Sequence, residues 1–163
     1  MAQLTVSSIT RSSGFANARL VLPFDLRQRS RLLASIDSGE EIGLTLPRGT
    51  VLRGGDRLQA SDGRIIDVVA APERVAIVQS DDPRLLARAA YHLGNRHVAV
   101  QITSNSLRFL SDHVLEGMLQ QLGLSVEIDN LPFEPEAGAY AQSGHGHGHG
   151  HAHGVPERRG GHQ

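Results

Sequence analysis

The chain carries nine histidines and none before His92. Five of them, His145, His147, His149, His151 and His153, alternate with Gly or Ala, and His162 follows. Neutral imidazole is a donor for nickel, copper and zinc, and intervening Gly leaves a backbone able to wrap around an ion. This spacing points to metal capture of low selectivity, since affinity alone favours copper. A purification tag is ordinarily an unbroken terminal run, whereas this one continues into Val155-Pro156-Glu157-Arg158-Arg159. Loading is expected to weaken as pH falls through about 6.5, where free imidazole takes up a proton. The remaining three, His92, His97 and His113, stand in ordinary sequence.

The composition removes most other chemistry. With no cysteine there is no thiolate nucleophile, disulfide framework or Cys-ligated metal, so donors must be imidazole, carboxylate or backbone groups. A net charge of -1 gives no broad pull towards nucleic acid or anionic membrane. All 16 basic residues are Arg, a bias to which no mechanism attaches. Met1-Ala2-Gln3-Leu4 lacks the basic start and apolar run of a signal peptide, and no window approaches a membrane span. The expectation is a soluble cytoplasmic protein. HExxH, G-x-S-x-G and P-loop patterns are absent, which argues against a metal-dependent hydrolase.

Periodicity gives the elements that must position the histidines. Residues 1–72 read as a β-rich domain, a small sandwich or barrel, with alternation at Leu4/Val6, at Leu20/Leu22/Phe24 and at Ile42/Leu44/Leu46. Asp62-Gly63 predicts a type I′ hairpin, whose two central positions need positive φ. Arg27, Arg29 and Arg31 alternate, which makes a basic stripe on one strand face, most simply a solvated one. The pattern changes at Pro72-Glu73, the expected domain boundary. Residues 73–134 read as a strand (Val75 to Val78), a helix capped by Asp82 and ended by a left-handed Gly94, strands at Val98 to Ile102 and Leu107 to Leu110, a helix capped by Asp112 and ended by Gly123, and a last strand at Ser125 to Ile128. That order predicts a ferredoxin-like (βαββαβ) domain, with both helices on one face of an antiparallel sheet. Residues 135–163 have too little apolar content to fold alone and are expected to be a disordered His-rich tail. The fold class is therefore α+β.

A turn at Ser104-Asn105 sets a register in which Thr103 opposes Ser106, Val100 opposes Phe109 and His97 opposes Asp112. Val98, Val100 and Ile102 then share the helix-covered face with Leu107 and Phe109, and His97 points to the open face with Ala99, Gln101, Arg108 and Leu110. His113, in the first turn of the second helix, comes to the hairpin end where His97 lies. An exposed imidazole beside small apolar groups fits a subunit contact, because two imidazoles related by a twofold axis make a site that one does not. The plainer alternative makes His97 a polar residue ending a helix–strand loop and His113 a first-turn surface residue. His92, on the helix flank beside Leu93, reads as structural.

The stretch Tyr91-His92-Leu93-Gly94-Asn95-Arg96-His97-Val98, the later Asp112-His113-Val114-Leu115-Glu116-Gly117-Met118-Leu119 and the Gly/His tail together closely resemble the UreE family of urease accessory proteins, nickel metallochaperones, over nearly the whole chain. The resemblance implies a non-enzymatic homodimer that binds nickel at its interface and passes it to urease apoprotein during active-site assembly. It implies work with the GTPase UreG and the other urease maturation proteins, and a first domain of peptide-binding type. It makes His97 the central interfacial ligand and His113 a second, with His145, His147, His149, His151, His153 and His162 as auxiliary donors for nickel, and for zinc or copper if present. Many relatives carry a further histidine where this chain has Ser111, so a second site in the folded domain is not implied. A nickel or zinc storage protein or metal sensor is the rival reading. An RNA-binding module shares the expected topology but needs open-face aromatics, and Phe109 points inward.

Overall fold

The computed structural model describes residues 4–138, so the tail donors His145, His147, His149, His151, His153 and His162 lie outside the described residues. The first part of the chain forms β1 (Leu4–Thr10), β2 (Ala18–Leu22), a one-turn helix α1 (Phe24–Arg27), β3 (Arg31–Ser35), β4 (Glu41–Thr45), β5 (Arg57–Ala60) and β6 (Ile65–Ala70). Alternation decides which face each strand buries: Ala18, Leu20 and Leu22 point inward, while Arg19 and Val21 point out. The strands build a single six-stranded sheet in the order β2-β6-β5-β1-β4-β3, parallel at β1/β4 and β2/β6. Of the two expected forms, sandwich or barrel, a single sheet around one core of Leu20, Ile42, Leu58 and Ile66 matches the barrel-like one. An Asp37 N–H bond to the Arg19 carbonyl (3.0 Å) draws its two edges towards each other.

Two local expectations fail for physical reasons. The β5–β6 hairpin falls where Asp62-Gly63 put it, but Gly63 alone is left-handed, at φ 90°. Ser61-Asp62-Gly63 is a three-residue loop closed by Ala60 N–H to the Arg64 carbonyl (2.9 Å), the turn-plus-bulge solution that needs only one such residue. Arg64 hydrogen-bonds Glu40 and Asp62 and holds both carboxyls below their usual range. The basic stripe does not exist. Pro23 ends β2 and starts α1, so Arg27 closes a helical turn and is fully buried, Arg29 lies beyond it and Arg31 opens β3.

The second part runs β7 (Pro72–Gln79), α2 (Pro83–Gly94), β8 (Gln101–Ile102), β9 (Ser106–Leu110), α3 (His113–Gln121) and β10 (Val126–Pro132). Its antiparallel sheet has the order β10-β7-β9-β8. Ala89 and Leu93 of α2 and Leu119 of α3 share one core with Ala76, Val78, Leu107 and Phe109, so both helices cover the same face. The observed pairs Gln101↔Arg108 and Ile102↔Leu107 follow the register of a Ser104-Asn105 turn. The expected strand at Val98–Ile102 shrinks to its last two residues, though Val98 and Val100 still pack on the core. Ile102, on the edge strand, stays 52% exposed.

The two parts meet at Arg27. Its guanidinium donates to the carbonyls of Leu22 (3.1 Å) and Leu52 (3.1 Å), to the Phe133 carbonyl and to Glu134 Oε1 (3.0 Å). Phe133, also fully buried, stacks edge-on against Phe24 at 5.6 Å. Glu134 reaches Arg53 (3.2 Å) and the Gly54 N–H (2.8 Å) as well, and Glu73 takes the Phe24 N–H (2.8 Å). Removing one partner of a buried ion pair strands the other charge, at a cost of roughly 3–5 kcal/mol. Glu134 keeps 29% side-chain exposure, so its loss belongs at the low end. Glu134→Ala should lower stability by about 3 kcal/mol in urea denaturation; an unchanged midpoint would show that the carbonyls alone satisfy Arg27.

Candidate metal-binding site

His97 owes its position to the way α2 ends. The helix starts where Asp82 Oδ1 accepts the Arg84 N–H (2.9 Å) with Pro83 behind it, and it is held down by buried Ala89 and Leu93. At its far end the His97 N–H returns to the Gly94 carbonyl (2.9 Å) and the Val98 N–H to the Leu93 carbonyl (3.2 Å). That pair of bonds is the Schellman motif, whose pivot must be left-handed. The pivot is His97, at φ 56°, the one non-glycine with positive φ among the described residues. Gly94 was the expected left-handed cap, and it is instead an ordinary helical residue.

The end of α3 shows what the pivot usually is. There the Gly123 N–H bonds the Gln120 carbonyl (2.9 Å), the Leu124 N–H bonds the Leu119 carbonyl (3.1 Å), and Gly123 has φ 93°. Both motifs clamp an apolar pair across the turn, Leu93 with Val98 and Leu119 with Leu124. The aligned segments are Leu93-Gly94-Asn95-Arg96-His97-Val98 and Leu119-Gln120-Gln121-Leu122-Gly123-Leu124. Where one has glycine the other has histidine. This shared spacing is the sequence signal for a left-handed His97, and Gly94, three residues earlier, competes with it by residue preference alone.

His97 is exposed and lies in a turn, not in the strand, so the pleat does not set its direction. His113 is the first residue of α3, exposed, next to an Asp112 whose Oδ1 accepts from Val114 N–H (2.9 Å) and Leu115 N–H (3.1 Å). Ser111 donates its hydroxyl to Glu116 Oε1 (2.7 Å) and its backbone N–H to the Arg74 carbonyl (3.0 Å), which ties the start of α3 to β7. His92 lies half-buried on the helix flank, edge-on to Tyr91, and its carbonyl accepts from Arg96 (3.0 Å).

Antiparallel pairing brings the end of α2, the end of β9 and the start of α3 to one end of this sheet. Three large apolar side chains are exposed on those elements: Tyr91 (66%), Leu110 (39%) and Val114 (63%). Among the described residues no three His, Asp or Glu side chains gather closely enough to hold a metal ion.

Comparison with known proteins places this arrangement. The family model for the UreE urease accessory protein N-terminal domain matches residues 6–71, and that for its C-terminal domain matches residues 73–162. A urease accessory protein UreE of Enterobacter sp. is 55% identical over 129 residues, covering 78% of this chain and 85% of that one. Its namesake in Alkalilimnicola ehrlichii is 51% identical over 137 residues, 84% of each chain. One from Pseudomonas putida is 57% identical over 127 residues, covering 77% and 76%.

A left-handed conformation costs a side-chain-bearing residue roughly 1–2 kcal/mol that glycine does not incur. His97→Gly should therefore stabilise the metal-free protein by about 1 kcal/mol, while Gly123→Ala destabilises it by a similar amount. Thermal unfolding of the two variants side by side reads both signs, and a destabilised His97→Gly would mean that the imidazole makes a compensating contact.

Proposed function

The chain belongs to the UreE family of urease accessory proteins, and we propose that it carries nickel to urease on His97, shared between two copies. The observation that carries this reading is the pivot. A position that backbone sterics reserve for glycine is occupied by an exposed imidazole, and a strained conformation at an exposed donor is the kind of local cost that function explains. Urease maturation is the family's setting, and an accessory chaperone does its work without turning over a substrate of its own.

One imidazole is a weak site, and no described cluster supplies the rest of the donor set. A second copy does so most economically. A twofold axis at the exposed end formed by Tyr91, Leu110 and Val114 would cover apolar surface and bring the two His97 side chains to one ion. His113 lies at the start of α3, on the same end of the sheet, and is the next donor on this reading. His145, His147, His149, His151, His153 and His162 then supply further imidazoles. Neutral nitrogen donors suit nickel as well as zinc and copper, so nickel is chosen by supply and by the receiving partner. We take the receiving side to be UreG with the other maturation proteins and urease apoprotein, in the cytoplasm; among the described residues no helix is long and apolar enough to cross a membrane.

The strand order β10-β7-β9-β8, with both helices on one face, supports reading residues 73–134 as ferredoxin-like. The two family-model ranges meet between residues 71 and 73, which supports a first domain of 1–72; the division of the rest into 73–134 and a tail from 135, and the peptide-binding type of the first domain, are part of the same proposal.

Metal transfer on this scheme is ligand exchange. Each donor is displaced in turn and no covalent bond to carbon, nitrogen or phosphorus changes. His97→Ala should abolish the tightest nickel site, one per dimer, in calorimetric titration; unchanged tight binding would refute the assignment. Deleting the chain after Gln142 should reduce the nickel taken up per dimer while leaving the dimer and its tightest site intact, as equilibrium dialysis with sedimentation would report. Loss of the tight site on that deletion would place the principal ligands in the tail.

A further inference from the structure

The chain leaving His97 is held from two directions. Behind it, the α2 end fixes Val98 through its bond to the Leu93 carbonyl (3.2 Å). Ahead of it, β8 offers just two ladder pairs, so 98–100 has no ladder partner in β9 among the described residues. Its support comes from the other side, where the segment after β10 runs past. The Glu136 N–H donates to the Val100 carbonyl (2.8 Å), and the Glu134 N–H donates to Gln101 Oε1 (3.0 Å). The first domain grips that segment through the Glu134 carboxylate, which takes Arg27 (3.0 Å), Arg53 (3.2 Å) and the Gly54 N–H (2.8 Å). Arg53 also holds the Pro135 carbonyl (2.7 Å). Gly54 permits the approach, because a Cβ there would sit 3.2 Å from Glu134 Oε1.

We propose that Glu134 is a positioning residue for His97: gripped by Arg27 and Arg53, it presses the 134–136 strap against Val100-Gln101 and so keeps the His97 pivot in its left-handed state. The inference rests on the reading of His97 as the nickel ligand. A left-handed histidine is held by what lies on both sides of it. With the strap released, the two-residue β8 frays, and the backbone preference at His97 favours another conformation. Shared donors work only when each is held near bonding distance, within about 0.2 Å of ideal for a well-formed site. Slack at His97 therefore weakens metal binding before it unfolds anything. Loss of support around a metal ligand typically lowers affinity by about 10–100-fold.

The test compares three variants of the full chain by nickel titration at 25 °C, with circular dichroism confirming that each is folded. Glu134→Ala removes the carboxylate grip on Arg27, Arg53 and the Gly54 N–H and leaves the strap held by the Phe133 and Pro135 carbonyls alone. Glu136→Pro removes the donor to Val100 and leaves the Glu134 grip intact, so a role confined to domain adhesion would not move its nickel Kd. Both should raise the Kd of the tightest site by about tenfold, and both should alter the His97 imidazole resonances of the metal-free protein. A wild-type Kd in Glu136→Pro overturns the inference, whatever Glu134→Ala does. His97→Ala is the control for the underlying reading. If it keeps the tight site, that reading has failed; if it loses the site while the strap variants keep theirs, the positioning role alone has failed.

Discussion

The structure depends on one buried cation. Arg27 has no exposure to water, and a guanidinium stays charged at any pH a protein survives, so its hydrogen bonds must be supplied by neighbours. Its own domain provides two carbonyls, those of Leu22 and Leu52. The other acceptors, the Phe133 carbonyl and the Glu134 carboxylate, come from the segment beyond β10. Neither part satisfies its polar groups alone. The first sheet needs a strap that the chain makes only after building the second sheet, and the strap's carboxylate needs a cation that the first sheet encloses. Phe24 and Phe133 pack edge-on beside this contact and keep water from its Arg27 side, while the Glu134 carboxylate stays partly exposed. Burial of this kind is poor evidence for extra stability but fixes a geometry, because few other dockings satisfy the same set of groups.

That fixed geometry reaches the exposed histidine through the chain itself. The strap that satisfies Arg27 goes on to bond Val100 and Gln101, and the path back from Val100 to His97 is short. At its other end His97 is tied to α2 by a motif that the protein uses twice. Gly123 shows that this sequence uses glycine where only backbone geometry matters. The choice of histidine at the same place in α2 gives up some local stability, and what it places at the exposed end of the helix is an imidazole.

Much of this was legible in the sequence, and the failures share a cause. Alternation at Leu20 and Leu22, the Asp82-Pro83 and Asp112 starts, and the pairing of Gln101 with Arg108 came through because each depends on neighbours a few residues apart. The Arg27, Arg29 and Arg31 alternation misled, because Pro23 had already turned the chain into a helix and one arginine was needed 107 positions away by Glu134. Strand length at Val98–Ile102 was overestimated for a related reason. Three valines and isoleucines at alternate positions satisfy a strand pattern, yet Val98 and Val100 reach the core from an unpaired segment whose outer side is covered by Glu136. The left-handed state of His97 was available in the spacing of Leu93 to Val98, which matches Leu119 to Leu124, but a nearby glycine offered a cheaper cap by residue preference alone.

The family places the chain in urease maturation, and the physical question is why such a protein should carry the donor proposed as its principal one in so exposed a place. A structural metal site is closed by four donors held in one fold, and its ion exchanges slowly because all of them must let go together. The described part of this chain gathers no three donors, so on the proposed reading an ion is held by groups that meet only when two copies and their tails come together. On that reading each of those donors would be removable without unfolding the others. Such a site needs rigidity at its centre and looseness at its rim, because donors that all wander do not bind and donors that are all fixed do not release. His97 meets the first requirement through the α2 end on one side and the strapped Val100-Gln101 on the other. On the same proposed reading, separate donors from His113 and the tail would meet the second, leaving the ion one at a time while His97 stays where the fold has put it.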